Sequence, residues 1–297
     1  MTHFLDLRLQ PVGGGLATAV SICQGTSISD YTGLGLGDLL SAIRGRNLLL
    51  VSHGFNVNRA DGIACLSNWE SLLQLPQPSA FLGLLWPGDS IWAHGLDYPD
   101  EPKIADQAGE LLAGFINANF QGAASLSFAS HSLGARVVLA TISHLSLSLP
   151  LRRLTLMAPA IDNNCLTTEF QAAEAKVKTV SLLASKEDEV LSAAFPLGNF
   201  FAGILAEGHP WWRAALGHCG PAPPWPANFQ PPFELPDDWK FEHGDYLHID
   251  KPPAPELPLP VDVPPQGSSP PLLDADGKAF PGWQEAFSSA FASTRFQ

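Results

Sequence analysis

The run Ser130-His131-Ser132-Leu133-Gly134 holds the residue types best placed to do chemistry. An apolar stretch predicted as a strand, Ser125–Ala129, leads into it, and Ala135–Ala140 opens a predicted helix behind it. A serine on so sharp a strand-to-helix turn is pushed out above the sheet, where its hydroxyl can attack a carbonyl. The turn is strained, so the positions two before and two after the serine must be small. Here they are Ser130 and Gly134; the usual motif has glycine at both, and this sequence departs from it at the first. A hydroxymethyl group can still fit. The helix behind the turn also aims its positive end and free N–H groups at the site, which favours developing negative charge. Helix capping is the plainer role for a serine here. The strand before, the helix after and His131 beside it favour Ser132 as a nucleophile.

Acyl transfer needs donors aimed at the oxygen that becomes negative. One is the N–H of the residue after the nucleophile, Leu133. The second belongs on the loop after an earlier strand. That strand is Asn47–Ser52, and its loop reads His53-Gly54-Phe55-Asn56-Val57-Asn58. Gly54 lets the backbone approach a substrate closely, and the Phe55 N–H is the expected donor.

A serine hydroxyl needs a base, and the base needs an orienting carboxylate. The expected chain order is serine, acid, histidine. Asp188 stands just past the predicted strand Val177–Ala184, where such an acid belongs. Asp162, one strand earlier, is the competing acid, with helix capping as its simpler role. Of the nine histidines, His243 and His248 return from the aromatic stretch. His243 is favoured because a short final strand through Trp239–Phe241 would put it on the following loop.

These residues must be positioned by strands and helices in alternation. Strands are predicted at Leu5–Leu9, Ala17–Cys23, Asn47–Ser52, Phe81–Trp86, Ser125–Ala129, Leu154–Ala158 and Val177–Ala184. Helices are predicted at Asp61–Leu73, Ile104–Asn119, Gly134–Leu145 and Cys165–Ala175. Runs such as Leu48-Leu49-Leu50-Val51 are apolar on both faces, as a parallel strand covered on both sides would be. The alternation predicts an α/β chain with chemistry at the carboxyl ends of its strands.

The whole chain, 1–297, is expected to form one domain. Residues 193–240 change character: aromatic and proline-rich, with no clean period, they read as a cap insertion that does not continue the sheet. Residues 252–281 read as a proline-rich extended segment, ahead of a C-terminal helix near Trp283–Ala292. Trp86, Trp92, Trp211 and Trp212 are candidates to line an acyl pocket, with core packing the alternative.

Composition narrows the classes. Hydrophobic residues are 45% and charged residues 15%, enough apolar material for a large core. The net charge is −13 with 16 Lys+Arg and no basic run, which argues against a nucleic-acid partner. The four cysteines are widely spaced, without C-x-x-C or metal-ligand spacing, so free thiols and no metal are expected. No apolar run reaches the ~20 residues of a membrane span. No signal peptide opens the chain, so a cytoplasmic location is expected.

The segments His53-Gly54-Phe55-Asn56, Leu85-Trp86-Pro87-Gly88, His131-Ser132-Leu133-Gly134, Ala158-Pro159-Ala160-Ile161-Asp162, Ser185-Lys186-Glu187-Asp188 and His243-Gly244-Asp245-Tyr246-Leu247 together resemble the α/β-hydrolase superfamily. Within it they are similar to a bacterial group of largely uncharacterised serine hydrolases. The resemblance spans about residues 45–190 and the His243 segment. It implies esterase- or lipase-like activity on a small-molecule ester with an apolar acyl or alcohol part, without a cofactor. Lactone, thioester or amide cleavage by the same triad remains open, as does an inactive hydrolase fold used for binding.

Overall fold

In the computed structural model the described residues are 1–13, 15–73, 75, 78–89, 101–192, 214–229, 233–235, 237, 241–246, 272–273 and 279–280. The chain opens with strand β1 (Thr2–Arg8), β2 (Leu16–Gly25) and β3 (Thr32–Gly33), then helix α1 (Leu36–Ile43). Next come β4 (Asn47–Ser52), α2 (Arg59–Leu72), β5 (Ser79–Leu85), α3 (Glu101–Asn119), β6 (Ser125–His131) and α4 (Gly134–His144). Strand β7 (Leu151–Met157), α5 (Gln171–Glu174), β8 (Val177–Ala184) and β9 (Phe233–Glu234) follow.

These strands form one sheet in the order β3-β2-β1-β5-β4-β6-β7-β8-β9. The pairs from β1–β5 through β8–β9 are parallel, whereas β1–β2 and β2–β3 are antiparallel. Every residue of β4 and β6 is buried, so both faces of the central sheet are covered, as their unbroken apolar runs predict. Helices α3, α4 and α5 lie side by side, while α2 packs against β5 and β1. Trp69, Trp86, Phe4, Phe81, Phe120 and Phe128 are among the bulkiest core members. Each such side chain contributes about 1.5–3 kcal/mol by burial.

Strand order locates the chemistry. From β4 the chain steps to β5 on one side, then returns to β6 on the other side of β4. Loops leaving β4 and β6 therefore part in opposite directions, and a crevice opens between them at their carboxyl ends. The loop after β4 carries Gly54 and Phe55, and the turn after β6 carries Ser132.

Three expectations change. Residues 193–240 were expected to leave the sheet alone, yet Phe233–Glu234 adds a ninth strand, pairing in parallel with Leu183 and Ala184. That strand stands where a strand through Trp239–Phe241 was expected; Phe241 lies in no strand, and 238–240 are outside the described residues. The predicted helix Cys165–Ala175 is a 3₁₀ turn, Cys165–Thr167, followed by the single turn α5. The Thr167 and Thr168 hydroxyls bond back to the Asn164 carbonyl at 3.0 and 2.9 Å, which competes with a continuous helix. Most of the expected cap, including 193–213, and the helix at 283–292 lie outside the described residues, as does the extended segment 252–281 except for 272–273 and 279–280, which pair as two short antiparallel strands. None of the four cysteines is in a disulfide; Cys23, Cys65 and Cys165 are buried and Cys219 is exposed. Among the described residues no helix is long and apolar enough to cross a membrane.

Candidate active site

Ser132 sits between β6 and α4 with φ +52, a left-handed conformation that costs a non-glycine residue about 1–3 kcal/mol. The turn is held by the Ser132 N–H donating to the Met157 carbonyl at 3.0 Å, one strand over. Gly134 is obligatory here: a Cβ would lie 2.3 Å from the His53 carbonyl oxygen and 2.8 Å from the Ser52 hydroxyl. The loop after β4 is thus pressed against the start of α4. Helix bonds begin with the Ala135 N–H on the Ser132 carbonyl at 3.1 Å, and the N–H groups of Leu133 and Gly134 lie before that first bond.

Ser130, the residue that replaces the expected glycine, is fully buried, and its hydroxyl finds no hydrogen-bond partner among the described residues. An unsatisfied buried hydroxyl is a net cost. Ser130→Ala is therefore expected to raise stability by about 1 kcal/mol, read as a higher urea midpoint with an unchanged slope. A lower midpoint would mean that the hydroxyl is satisfied.

His243 lies between the other two predicted members. Its Nδ1 is 2.7 Å from Asp188 Oδ2 and its Nε2 is 2.8 Å from Ser132 Oγ. A carboxylate only accepts, so Nδ1 carries the proton and Nε2 is left to accept from the serine hydroxyl. Asp188 is fully buried, and its second oxygen, Oδ1, accepts the Leu191 N–H at 2.8 Å. The acid thus also caps the helical turn that starts at 189. The base loop is pinned by Phe241 and Tyr246, buried edge to face at 4.6 Å, and by the Ser185 hydroxyl donating to the Phe241 carbonyl at 2.7 Å. Asp162, the competing acid, bridges through its backbone to Ala215, and the carboxylate bonded to His243 Nδ1 is that of Asp188. His248 lies outside the described residues.

The loop after β4 is bolted from behind. The Trp86 main-chain N–H donates to His53 Nε2 at 3.3 Å, so the proton of this ring is on Nδ1, which donates to the Gly54 carbonyl at 2.9 Å. The Trp86 indole N–H closes the pair on the His53 carbonyl at 2.9 Å. Arg8, buried and ion-paired with Asp89, donates to the carbonyls of Val57 at 3.0 Å and Trp86 at 2.8 Å. The Asn56 N–H reaches the Gly88 carbonyl at 2.6 Å, and the Asn58 side chain caps α2 by accepting the Asp61 N–H at 3.0 Å. A Cβ on Gly54 would come within 2.9 Å of Ser132 Cβ, so this loop lies directly against the nucleophile. Phe55 and Leu133 thereby stand on the two sides of the crevice next to Ser132.

Trp86 is placed in the core behind that loop, fully buried and stacked on His53 at 5.8 Å, the packing alternative raised above. Trp92, Trp211 and Trp212 lie outside the described residues. Sequence reasoning did not assign His53 or His131 to the support of the site. The signal available was that both are histidines at the carboxyl ends of predicted strands, next to the oxyanion loop and the nucleophile.

Burial lowers the pKa of His53 from 6.5 to about 4 and that of His131 from 6.5 to about 3. Both rings are neutral when folded. An unfolded histidine takes a proton near 6.5, so stability is full above that value and is lost as pH falls toward the folded values. A thermal melt at pH 5 is expected several degrees below one at pH 7. Equal midpoints would show the rings to be charged or exposed.

A mostly parallel sheet covered on both faces, with a serine on a left-handed strand-to-helix turn at its switch point, defines the α/β-hydrolase fold. The chain belongs to the family described as "Alpha/beta hydrolase of unknown function (DUF900)", whose model matches residues 34–199. That match includes Ser132 and Asp188 and ends before His243. Among solved structures the chain is similar to esterase PE8, with 18% identity, TM-score 0.34, and coverage of 54% of this chain and 78% of that one. It is also similar to a candidate lipase (lip1) from Acinetobacter baumannii AYE, with 14% identity, TM-score 0.33, and coverage of 74% and 92% respectively. Neither likeness is close enough to carry an argument. A comparison with curated proteins returns no match.

Proposed function

We propose that this protein is a serine hydrolase that cleaves carboxylic esters through an acyl-enzyme. The observation that carries this reading is His243, with one ring nitrogen 2.7 Å from Asp188 and the other 2.8 Å from Ser132. His243 Nε2 takes the proton of Ser132 as Oγ attacks the ester carbonyl, and Asp188 holds the ring tautomer and stabilises the imidazolium. The oxyanion is received by the N–H groups of Leu133 and Phe55. The His53 bond to the Gly54 carbonyl supports the second donor, because in a trans peptide the N–H of Phe55 faces the opposite side from that carbonyl. His243 then protonates the departing alcohol. Water, deprotonated by the same nitrogen, releases the acid from Ser132.

The test is covalent labelling with a fluorophosphonate, which reacts with an activated serine. The wild-type chain is expected to take up one label on Ser132, located by peptide mass. An intact, folded chain that takes up none would sink the reading and leave the fold as a binding scaffold.

A further inference from the structure

His131 is the last residue of β6, next to the nucleophile, and is 7% exposed. Its Nε2 lies 2.7 Å from the main-chain carbonyl oxygen of His243. A carbonyl only accepts, so Nε2 carries the proton and donates. With the ring neutral, Nδ1 is a bare acceptor. A Cβ on Gly54 would sit 2.9 Å from that Nδ1, so the loop after β4 rests against the other side of the same ring. The rings of His131 and His243 are 4.7 Å apart, inclined at 50°. One side chain thus touches the loop bearing the base and the loop bearing Phe55, on the residue that precedes Ser132 in the chain.

The base needs two fixed points. Asp188 holds the imidazole at Nδ1, but a ring tethered only at its tip can swing if its backbone drifts. Phe241 and Tyr246 anchor the loop two residues before and three residues after His243. The geometry points to His131 as a positioning residue: its Nε2–H holds the His243 backbone so that the imidazole stays in line between Asp188 and Ser132. A misplacement of about 1 Å at a reacting group can cost about 100-fold. Asp188 and Ser132 face the imidazole of the base, His131 faces its ring and backbone, and Glu242 and Asp245 flank it on its own loop. His131 is the side chain that donates to the His243 carbonyl. Glutamine can place an N–H near the Nε2 position, whereas leucine fills the space without a donor.

The inference rests on the triad reading, and two measurements on the full chain separate their failures. The first is the downfield proton resonance of His243 Nδ1–H, assigned by its disappearance in His243→Gln; it needs no substrate. It is expected to be sharp in the wild type and in His131→Gln, and broadened or lost in His131→Leu. The second is hydrolysis of p-nitrophenyl butyrate. In His131→Leu, kcat is expected to fall about 10- to 100-fold with KM little changed, and His131→Gln is expected to restore most of it. A His131→Leu chain that keeps both the sharp resonance and the wild-type kcat overturns the inference. So does a glutamine variant as impaired as the leucine one. If the wild type hydrolyses nothing and takes no label, the hydrolase reading fails, and the resonance alone decides the role of His131.

Discussion

Ser132→Ala is expected to lower kcat on short p-nitrophenyl esters by about 10⁶-fold, the scale on which removing a triad nucleophile acts. That is about 8 kcal/mol of barrier. No neighbouring group can replace it. Ser130, two residues earlier, is fully buried within the strand, and the first residues after the turn are Leu133 and Gly134. The loss should leave the fold intact. Alanine carries the same left-handed backbone cost as serine at φ +52, and the hydroxyl gives up a single bond, to His243 Nε2. Circular dichroism and the melting midpoint should therefore match the wild type while activity disappears. Full activity in this variant would rule Ser132 out as the nucleophile. A loss of only about tenfold would equally be too small for an acyl-enzyme on this residue.

The central sheet was legible because its strands are unambiguous in one dimension. Asn47–Ser52 and Val177–Ala184 are predicted and observed with the same bounds, since the first is built on the apolar run Leu48–Val51, the second carries Val177, Val180 and Leu182–Ala184, and polar or turn-forming residues stop both. Edges were harder. The two-residue strand Phe233–Glu234 cannot show an alternation, and the prolines at 232 and 236 that bracket it deny the ladder donors on either side. Helix α1, Leu36–Ile43, went unpredicted: it is eight residues long, and glycines lie before and inside it. At the site, chain order and strand position singled out Ser132, Asp188 and His243, but one dimension cannot reveal what a side chain leans on. Trp86 follows a strand and could face a pocket or the core. Its full burial and the indole N–H bond to the His53 carbonyl decide it. His131 was visible merely as a neighbour of the serine, because its partner lies 112 residues further along the chain.

Asp188→Asn is expected to reduce kcat by about 10⁴-fold, the size this swap has in a Ser-His-Asp site. The argument turns on how the asparagine amide must be oriented. The Leu191 N–H is fixed by the helical turn and points at Oδ1 from 2.8 Å. An asparagine must therefore keep its carbonyl oxygen there, because the reverse would set a donor against a donor in a fully buried place. Its NH₂ group then takes the place of Oδ2, 2.7 Å from His243 Nδ1. That nitrogen must now accept, so the imidazole proton moves to Nε2. A protonated Nε2 faces Ser132 Oγ and cannot take its proton. The fold keeps its cap and its packing, so the melting midpoint should move little, and KM should stay near the wild-type value while kcat collapses. Fluorophosphonate labelling should slow in parallel, since it too needs the base. Asp162→Asn serves as the control: its carboxyl is the competing acid one strand earlier, and the change should leave kcat at the wild-type level. If Asp188→Asn keeps activity within about tenfold while Asp162→Asn loses it, the acid has been misassigned and the orienting role passes to Asp162.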